Sequence, residues 1–386
     1  MLCRCVAAVL VTLFAGLSAL SQCRPTTGCA SAVFAEADQA MLDLMCENDI
    51  PGATLAVAYN GVVVYERGYG WSDRDRTVPM QPDAMMRIAS ISKPLTVAAA
   101  RRLIEFGTFD LDDFAFDLGQ RPRGLLRIEP FPSLGDPRLA EIRVEHLIKH
   151  TAGWNRDIAG DLTFKEIEIA ADMGVDSPPG RERTIAWILG QPLQTDPGET
   201  KIYSNIGATV LALIIEAGTK RPVEEVIQRL VLHPIRVDDD DHIAGRTKRD
   251  DQDPREPWYS ADQMATDVFD PRGEPVERPY GGWDHEARVG HGGQVTTAAV
   301  LARFAAHYWV NGPNIGKKKE PRLRGSWRWN HGGILEGTGT TVRQLGSGVT
   351  YAVLFNSRGN GGAARDRLDP IFDGIGSFPT RPPRCD

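Results

Sequence analysis

Several classes of protein are excluded by what this sequence lacks. Its 386 residues carry a formal net charge of −7, so it lacks the basic excess that general nucleic-acid binding requires. It has no internal repeat and no His-Glu-x-x-His zinc-binding motif. The hydrophobic share of 42% and the charged share of 25% are those of an ordinary soluble chain. We therefore expect a globular protein, built as one large domain or two closely joined ones, with no nucleic-acid partner.

Long hydrophobic runs are also scarce, and the longest one lies at the N-terminus. Cys5–Leu20 follows Arg4 and is short for a membrane-spanning helix, but it has the length of the apolar region of a signal peptide. We therefore interpret residues 1–32 as a signal peptide, cleaved near position 21 or near position 32. We expect residues 33–386 to be periplasmic or secreted. Two alternatives stay open, namely lipidation at Cys23 and an uncleaved N-terminal membrane anchor.

Cysteine is rare, with six residues in the whole chain. Export makes disulfide bonds possible, because compartments outside the cytoplasm are oxidising. Cys46 ends the first predicted helix and Cys385 is the penultimate residue, so a bridge between them would tie the two ends of the chain together. Two unpaired thiols are an equally good interpretation.

Apolar patterning predicts strands at both ends of the chain and helices between them. The stretches GATLAVAY and VVVYERGYG flank Asn60–Gly61, a strong hairpin signal, and WRWNHGG, GTTVRQLG and VTYAVLFN are strand-like near the C-terminus. Helical periodicity covers much of the middle, for example SNIGATVLALIIEAG. We therefore predict an α/β protein of the α+β type. Residues 33–90 and 290–386 would form a mostly antiparallel sheet with terminal helices, and residues 91–289 an inserted helical lobe.

Ser90 and Lys93 lie three residues apart in RIASISKPLT, where a helix is predicted to begin. Residues three apart on a helix are neighbours, so the hydroxyl and the amine would be in contact. Serine is inert at its own pKa and needs a nearby base, and lysine serves as that base when burial lowers its pKa. Pro94 places the helix start near Ser90, where the positive end of the helix dipole favours an oxyanion. A solvated helix face is the alternative interpretation of so short a motif.

Two further stretches carry residue types that suit a serine nucleophile. In PGETKIYSNIG, Tyr203 precedes Asn205 by two residues at the predicted start of a helix. A tyrosine beside Lys93 can relay the proton of the nucleophile, and the neighbouring ammonium would lower the pKa of its phenol. Asn205 would orient Lys93 and donate its amide to a substrate carbonyl. In NHGGILEGTG, His331 opens a predicted strand whose two glycines allow another backbone to approach.

Two other histidines receive structural interpretations. His291 repeats the His-Gly-Gly pattern in GHGGQ but precedes a predicted helix and does not open a strand, so we prefer His331 as the candidate site histidine. His150 ends a predicted helix and is expected to cap it by bonding main-chain carbonyls. A place in the cleft is the alternative for His150.

Three short motifs follow one another along the chain: Ser90-x-x-Lys93, Tyr203-x-Asn205 and His331-Gly332-Gly333. Together they resemble the serine beta-lactamase and penicillin-binding-protein superfamily, specifically its class C-like branch of beta-lactamases, esterases, D,D-peptidases and LACTB-type proteases. Further stretches, among them PGATLAVAYNGVVVYERGYG and VEHLIKHTAGW, appear in family order over nearly the whole chain that follows the signal segment. The resemblance implies the beta-lactamase/transpeptidase-like fold.

The resemblance also implies roles for individual residues. Ser90 would be the acylated nucleophile, Lys93 its base and Tyr203 the proton shuttle. The residues expected to contact substrate are Asn205, His331, Gly332, Gly333 and Ile334. The oxyanion hole would consist of the main-chain N–H groups of Ser90 and Ile334. The partner implied is a small-molecule ester, amide or peptide, and neither metal nor cofactor is required.

The chain departs from the family pattern in having no Lys-Thr-Gly triad. In many beta-lactamases that lysine supplies a permanent cation for the substrate carboxylate, whereas His331 is largely neutral near pH 7. The resemblance therefore implies an esterase or a D-specific peptidase, such as a carboxypeptidase, in preference to a penicillinase. A true beta-lactamase and a catalytically silent protein that binds a cell-wall peptide are the alternatives.

Overall fold

The computed structural model describes residues 24–319 and 328–385. Its strands are, in chain order, β1 (Thr26–Thr27), β2 (Gly52–Tyr59), β3 (Val62–Gly70), β4 (Met86–Arg87), β5 (His242–Ala244), β6 (Met264–Ala265), β7 (Val276–Glu277), β8 (Gln294–Thr296), β9 (Trp329–Leu335), β10 (Thr338–Gln344) and β11 (Val349–Phe355). Its α-helices are α1 (Ala35–Glu47), α2 (Ser92–Glu105), α3 (Val144–Lys149), α4 (Arg156–Ala159), α5 (Glu166–Met173), α6 (Gly180–Leu189), α7 (Asn205–Thr219), α8 (Val223–Ile227), α9 (Ala298–His307) and α10 (Gly361–Gly374).

The main sheet is assembled from both ends of the chain. Its strand order is β1-β3-β2-β11-β10-β9, and each neighbouring pair runs antiparallel. The hairpin predicted around Asn60–Gly61 joins β2 to β3. The predicted α/β fold, a mostly antiparallel sheet with terminal helices and further helices between its two halves, is confirmed. The last helix runs from Gly361 to Gly374.

The sheet is buried on both faces, which explains why its central strands read as continuous apolar runs. In β2, Leu55 and Val57 point into one core and Ala56 and Ala58 into the other, with the alternation that a strand imposes. Helices α1 and α10 cover the first face, and α9 lies across β2, β10 and β11 on the second. The edge strand β9 is therefore held by a rigid layered body.

A helical lobe stands beside this body, and the cleft between the two holds the candidate site. Helix α2 packs against α7, and α7 packs against α3. The short strand β4 pairs with β8, so the turn that follows β4 is fixed to the chain segment preceding α9. Within residues 24–319 and 328–385, no helix combines the length and the apolarity needed to cross a membrane. Most of the predicted signal peptide, and the alternative lipidation site Cys23, lie outside the described residues.

The two ends of the described chain are joined by a disulfide between Cys29 and Cys385, whose Cα atoms are 4.8 Å apart. The bridge considered between Cys46 and Cys385 is therefore wrong, and so is the alternative in which Cys385 is unpaired. The reason is that β1 pairs with β3 at the edge of the sheet and carries Cys29 to the C-terminus. Both β1 and Cys29 lie within residues 1–32, the segment interpreted from the sequence as a signal peptide.

Candidate active site

Ser90 lies in a single turn of 3₁₀-helix, Ala89–Ile91, that leads directly into α2. The residue before it, Ala89, has a φ of +47°, in the left-handed region that costs a residue with a Cβ about 1–3 kcal/mol. A hydrogen bond holds the turn in place, because the N–H of Ile88 donates to the carbonyl of Gln294, the first residue of β8, at 3.1 Å. The strained turn presents the Ser90 hydroxyl at the cleft between the sheet and the helical lobe.

Lys93 lies one helical turn beyond Ser90, with its Nζ 3.2 Å from the Ser90 Oγ. The Lys93 side chain is only 1% exposed, and its Nζ also donates to the His291 carbonyl at 2.7 Å. Desolvation holds the pKa of Lys93 well below its usual value, with Asp161 opposing this shift and Arg156 adding to it. A neutral amine at this distance can accept the proton of the Ser90 hydroxyl.

Tyr203 comes from the start of α7, whose N-cap Ser204 accepts a hydrogen bond from the Gly207 N–H. The Tyr203 hydroxyl donates to the Ser90 Oγ at 2.6 Å, and the Lys93 Nζ lies 4.6 Å from the centre of its ring. Burial raises the pKa of Tyr203 to about 12. The fall in pKa predicted from a neighbouring ammonium is therefore wrong, because burial disfavours the charged form of Lys93 as well as the phenolate.

Asn205 is the first residue of α7, two positions beyond Tyr203. Its Nδ2 donates to the Oδ2 of Asp161 at 2.6 Å, whereas the Nζ of its expected partner Lys93 is bonded elsewhere. The expectation that Asn205 orients Lys93 is therefore wrong. Asp161 instead influences Lys93 through its charge, and no sequence motif marked Asp161 for this place.

His331, Gly332 and Gly333 lie on β9, the edge strand beside the Ser90 turn. A Cβ on Gly333 would overlap the Ile88 carbonyl and lie 3.0 Å from the Cβ of Ala89, so only glycine permits this approach. Ile334 follows with 57% of its surface exposed. The close approach of Gly333 holds the main chain of β9 against the turn that carries the nucleophile.

The His331 side chain is neutral at physiological pH. Burial lowers the pKa of His331 to about 4. Its Nδ1 is 3.0 Å from the carbonyl of Gly332. The site therefore has no permanent cation at position 331, as the sequence predicts.

Two cavities meet at Tyr203 and His331, which line both of them. The smaller, about 420 Å³, is also lined by Ser90 and Ile334. The larger, about 640 Å³, extends away from the nucleophile and includes His150, whose ring centre is 5.2 Å from that of Tyr203. His150 ends α3 in a left-handed conformation and caps it through its main-chain N–H, which donates to the carbonyls of His146 and Leu147, while its ring faces the larger cavity.

Three charged residues near the site, Arg156, Glu166 and Arg288, lie in no sequence motif that would have identified them as site residues. Arg156 lines the smaller cavity, with its Cζ 5.7 Å from the centre of the Tyr203 ring. Arg288 is buried against Glu166, and its carbonyl accepts hydrogen bonds from the N–H groups of residues 291–293. That turn presents the His291 carbonyl to Lys93. Sequence reasoning missed these residues because each reaches the site from a different segment of the chain.

Comparison with known proteins gives concordant results. The family pattern described as Beta-lactamase matches residues 34–364. Esterase EstB of Burkholderia gladioli is 26% identical over 326 residues, which cover 83% of this chain and 76% of the relative. Protein flp of Staphylococcus aureus (strain NCTC 8325 / PS 47) is 28% identical over 203 residues, which cover 51% of this chain and 37% of the relative. The matched part is thus little more than a third of the length of flp.

The solved structures similar to this chain agree with the fold. A class C beta-lactamase superposes with a TM-score of 0.62 at 16% identity, over 90% of this chain and 97% of that one. At this level of identity the likeness concerns the fold alone, which fits the layered sheet and the inserted helices described above.

Proposed function

The chain belongs to the beta-lactamase family of serine hydrolases, and we propose that it hydrolyses esters through an acyl-enzyme on Ser90. The observation that carries the proposal is the contact of two side chains, those of Tyr203 and Lys93, with the Ser90 hydroxyl. The Tyr203 Oη and the Lys93 Nζ lie 2.6 Å and 3.2 Å from the Ser90 Oγ, and the amine is buried with a lowered pKa. A nucleophile, a neutral base and a protonated phenol are the groups that two-step acyl transfer needs.

Acylation begins when Lys93 accepts the proton of the Ser90 hydroxyl as its oxygen attacks the ester carbonyl. The charge that develops on the carbonyl oxygen is stabilised by the main-chain N–H groups of Ser90 and Ile334, which belong to the turn and to the strand that Gly333 holds together. Losing one such donor costs about 10²–10³ in rate.

The leaving alcohol then takes its proton from Tyr203, which is protonated in the resting enzyme because burial raises its pKa to about 12. The proton held on Lys93 then passes to the Tyr203 phenolate, since the Lys93 Nζ lies over the Tyr203 ring. In the second step, water attacks the Ser90 ester and the same two groups move protons in the reverse order. Ser90 is regenerated and the carboxylic acid is released.

The absence of a cation at position 331 favours ester hydrolysis over beta-lactam hydrolysis. His331 is neutral because its pKa is lowered to about 4, so it attracts a substrate carboxylate only weakly. The relative named Esterase EstB, which matches 83% of this chain, also supports an ester substrate. A D-specific peptidase remains the second candidate, since the same acyl transfer cleaves an amide.

The test is covalent labelling by a fluorophosphonate together with a turnover panel of p-nitrophenyl acetate, a D-alanyl peptide and nitrocefin. We expect Ser90 to be labelled and the acetate to be the best substrate, with both signals lost in Ser90→Ala. Absence of labelling on the native chain would favour the catalytically silent peptide-binding alternative. Faster turnover of nitrocefin than of the acetate would favour a true beta-lactamase.

Export is the remaining part of the proposal. The disulfide between Cys29 and Cys385 supports it, because such bonds persist in oxidising compartments. Since β1 and Cys29 belong to the folded body, cleavage near position 21 fits the fold better than cleavage near position 32. N-terminal sequencing of the protein recovered from a periplasmic or culture fraction tests this. A chain that starts near residue 33, or one found in the cytoplasm, would contradict it.

A further inference from the structure

The larger cavity differs in character from the one that contains Ser90. It has a volume of about 640 Å³ and begins at Tyr203 and His331. From there it runs between the end of α3 and the segment that follows α9. Its apolar wall is formed by Leu111, Ile148 and Ile315. Ser90 lines only the smaller cavity, so the larger one lies on the Tyr203 side of the nucleophile.

The larger cavity also carries an excess of positive charge. Its cationic lining residues are Arg101, Lys149, Lys201 and Lys317. A single carboxylate, Glu145, lines it as well and is paired with Lys149 at 2.5 Å. Within the described part of the chain, neither Lys201 nor Lys317 forms an ion pair. Two ammonium groups are therefore available to a ligand that occupies the apolar space.

We propose that this cavity binds the leaving group of the substrate, an apolar chain that ends in a carboxylate or a phosphate. The inference rests on the proposed ester hydrolysis at Ser90. Tyr203 protonates the leaving alcohol, so that alcohol must lie against Tyr203 when the ester bond breaks. Of the two cavities that Tyr203 and His331 both line, the one that Ser90 does not line is the apolar one with the cations.

The reaction consumes only the ester and water. The acyl carbon forms a bond to the Ser90 oxygen as its bond to the alkoxy oxygen breaks. The alkoxide takes the Tyr203 proton and leaves through the larger cavity, and water then releases the acyl group as an acid. His150 lines the same wall and is neutral, because burial lowers its pKa to about 3, so it does not oppose an apolar chain.

The experiment uses acetate esters of different alcohols, so the acyl group is constant. Acetate release is measured for ethyl acetate, octyl acetate, 8-acetoxyoctanoate and 8-acetoxyoctyl phosphate. We expect kcat/KM to rise with alcohol length by up to roughly four-fold per added methylene that is buried. The two anionic esters should exceed octyl acetate by about ten-fold at low salt, and the better of the two identifies the acidic group.

Variants locate the effect in the cavity. Leu111→Trp, at an exposed position of the wall, should shorten the preferred alcohol. Lys201→Ala combined with Lys317→Ala should remove the advantage of the anionic esters over octyl acetate. Lys318→Ala is the matched control, since Lys318 is exposed in the same segment and does not line the cavity. Lys318→Ala should leave the ratio of kcat/KM for the anionic esters to that for octyl acetate unchanged.

The outcomes separate this inference from the proposed function. Fluorophosphonate labelling of Ser90 with equal turnover of ethyl and octyl acetate would overturn the inference and leave the hydrolase standing. A gain from lengthening the acyl chain of p-nitrophenyl esters, with none from lengthening the alcohol, would overturn it as well. Loss of labelling together with loss of all ester turnover would overturn the proposed function itself.

Discussion

The hydroxyl of Tyr203 donates a 2.6 Å hydrogen bond to the Ser90 Oγ, so the phenol enters the reaction as an acid. Its pKa of about 12 excludes a resting phenolate near neutral pH. The base must then be the other group in contact with Ser90, the buried amine of Lys93. The first two predictions follow from Tyr203 acting as the acid and Lys93 as the base.

Tyr203→Phe should slow the release of poor leaving groups more than that of good ones. An alkoxide needs a proton from Tyr203, whereas p-nitrophenolate leaves without one. We expect kcat/KM to fall by about 10²–10⁴ for ethyl acetate and by much less for p-nitrophenyl acetate. Parallel measurement of both esters checks this. An equal loss for the two would mean that Tyr203 acts on Ser90 itself and not on the leaving group.

The rate of fluorophosphonate labelling should rise with pH as Lys93 loses its proton, at a pH well below the ordinary pKa of lysine. Two substitutions should move this profile in opposite directions. Asp161→Asn removes a charge that raises the pKa of Lys93, so the rise shifts to lower pH. Arg156→Gln removes a charge that lowers it, so the rise shifts to higher pH. Shifts in the same direction would contradict the role of Lys93 as base.

His331→Lys should increase the preference for substrates that carry a carboxylate. It places a cation where His331 is neutral, at the junction of the two cavities. We expect the ratio of kcat/KM for a carboxylate-bearing ester to that for its neutral analogue to rise about ten-fold. His331→Gln, which is also uncharged, serves as the control and should keep the native ratio. An unchanged ratio in the lysine variant would show that charge at this position does not set specificity.

The buried pair formed by Glu166 and Arg288 should be strongly coupled in stability. Both side chains are almost fully buried, so removing either partner leaves an uncompensated charge. Glu166→Gln or Arg288→Met should each lower the free energy of unfolding by about 3–5 kcal/mol, and the double variant by clearly less than their sum. Urea unfolding of the four proteins at pH 7 measures this cycle. Strict additivity would mean that the two groups do not stabilise one another.

Acid should destabilise the fold through its buried histidines. Burial lowers the pKa of His242 to about 4, so between about pH 6.5 and 4 the unfolded chain takes up a proton that the folded chain does not. The free energy of unfolding therefore falls with pH in this window, by about 1.4 kcal/mol per pH unit for each such histidine. His242→Gln should make the dependence of the free energy of unfolding on pH shallower, by the amount that corresponds to one proton. The same slope in the variant would assign the acid sensitivity to other groups.

Much of the sheet, and the three reacting residues Ser90, Lys93 and Tyr203, could be predicted from the sequence, because both depend on local sequence patterns. β2 and β3 match the two runs flanking Asn60–Gly61, since strands that are buried on both faces read as continuous apolar stretches. Ser90 and Lys93 are neighbours through helix geometry alone. The disulfide partner was missed because Cys29 reaches Cys385 only after β1 has joined the sheet.

The sequence by itself determined which reactive groups exist and in what order: a serine one helical turn from a lysine, a tyrosine before a helix, and no Lys-Thr-Gly. Only the tertiary structure decided their protonation and their surroundings. The pKa of Tyr203 rises because packing of distant segments removes water from the phenol, and Asn205 bonds Asp161 because a separate turn brings that carboxylate within reach. Desolvation and long-range contact are properties of assembled surfaces, so no stretch of sequence specifies them alone.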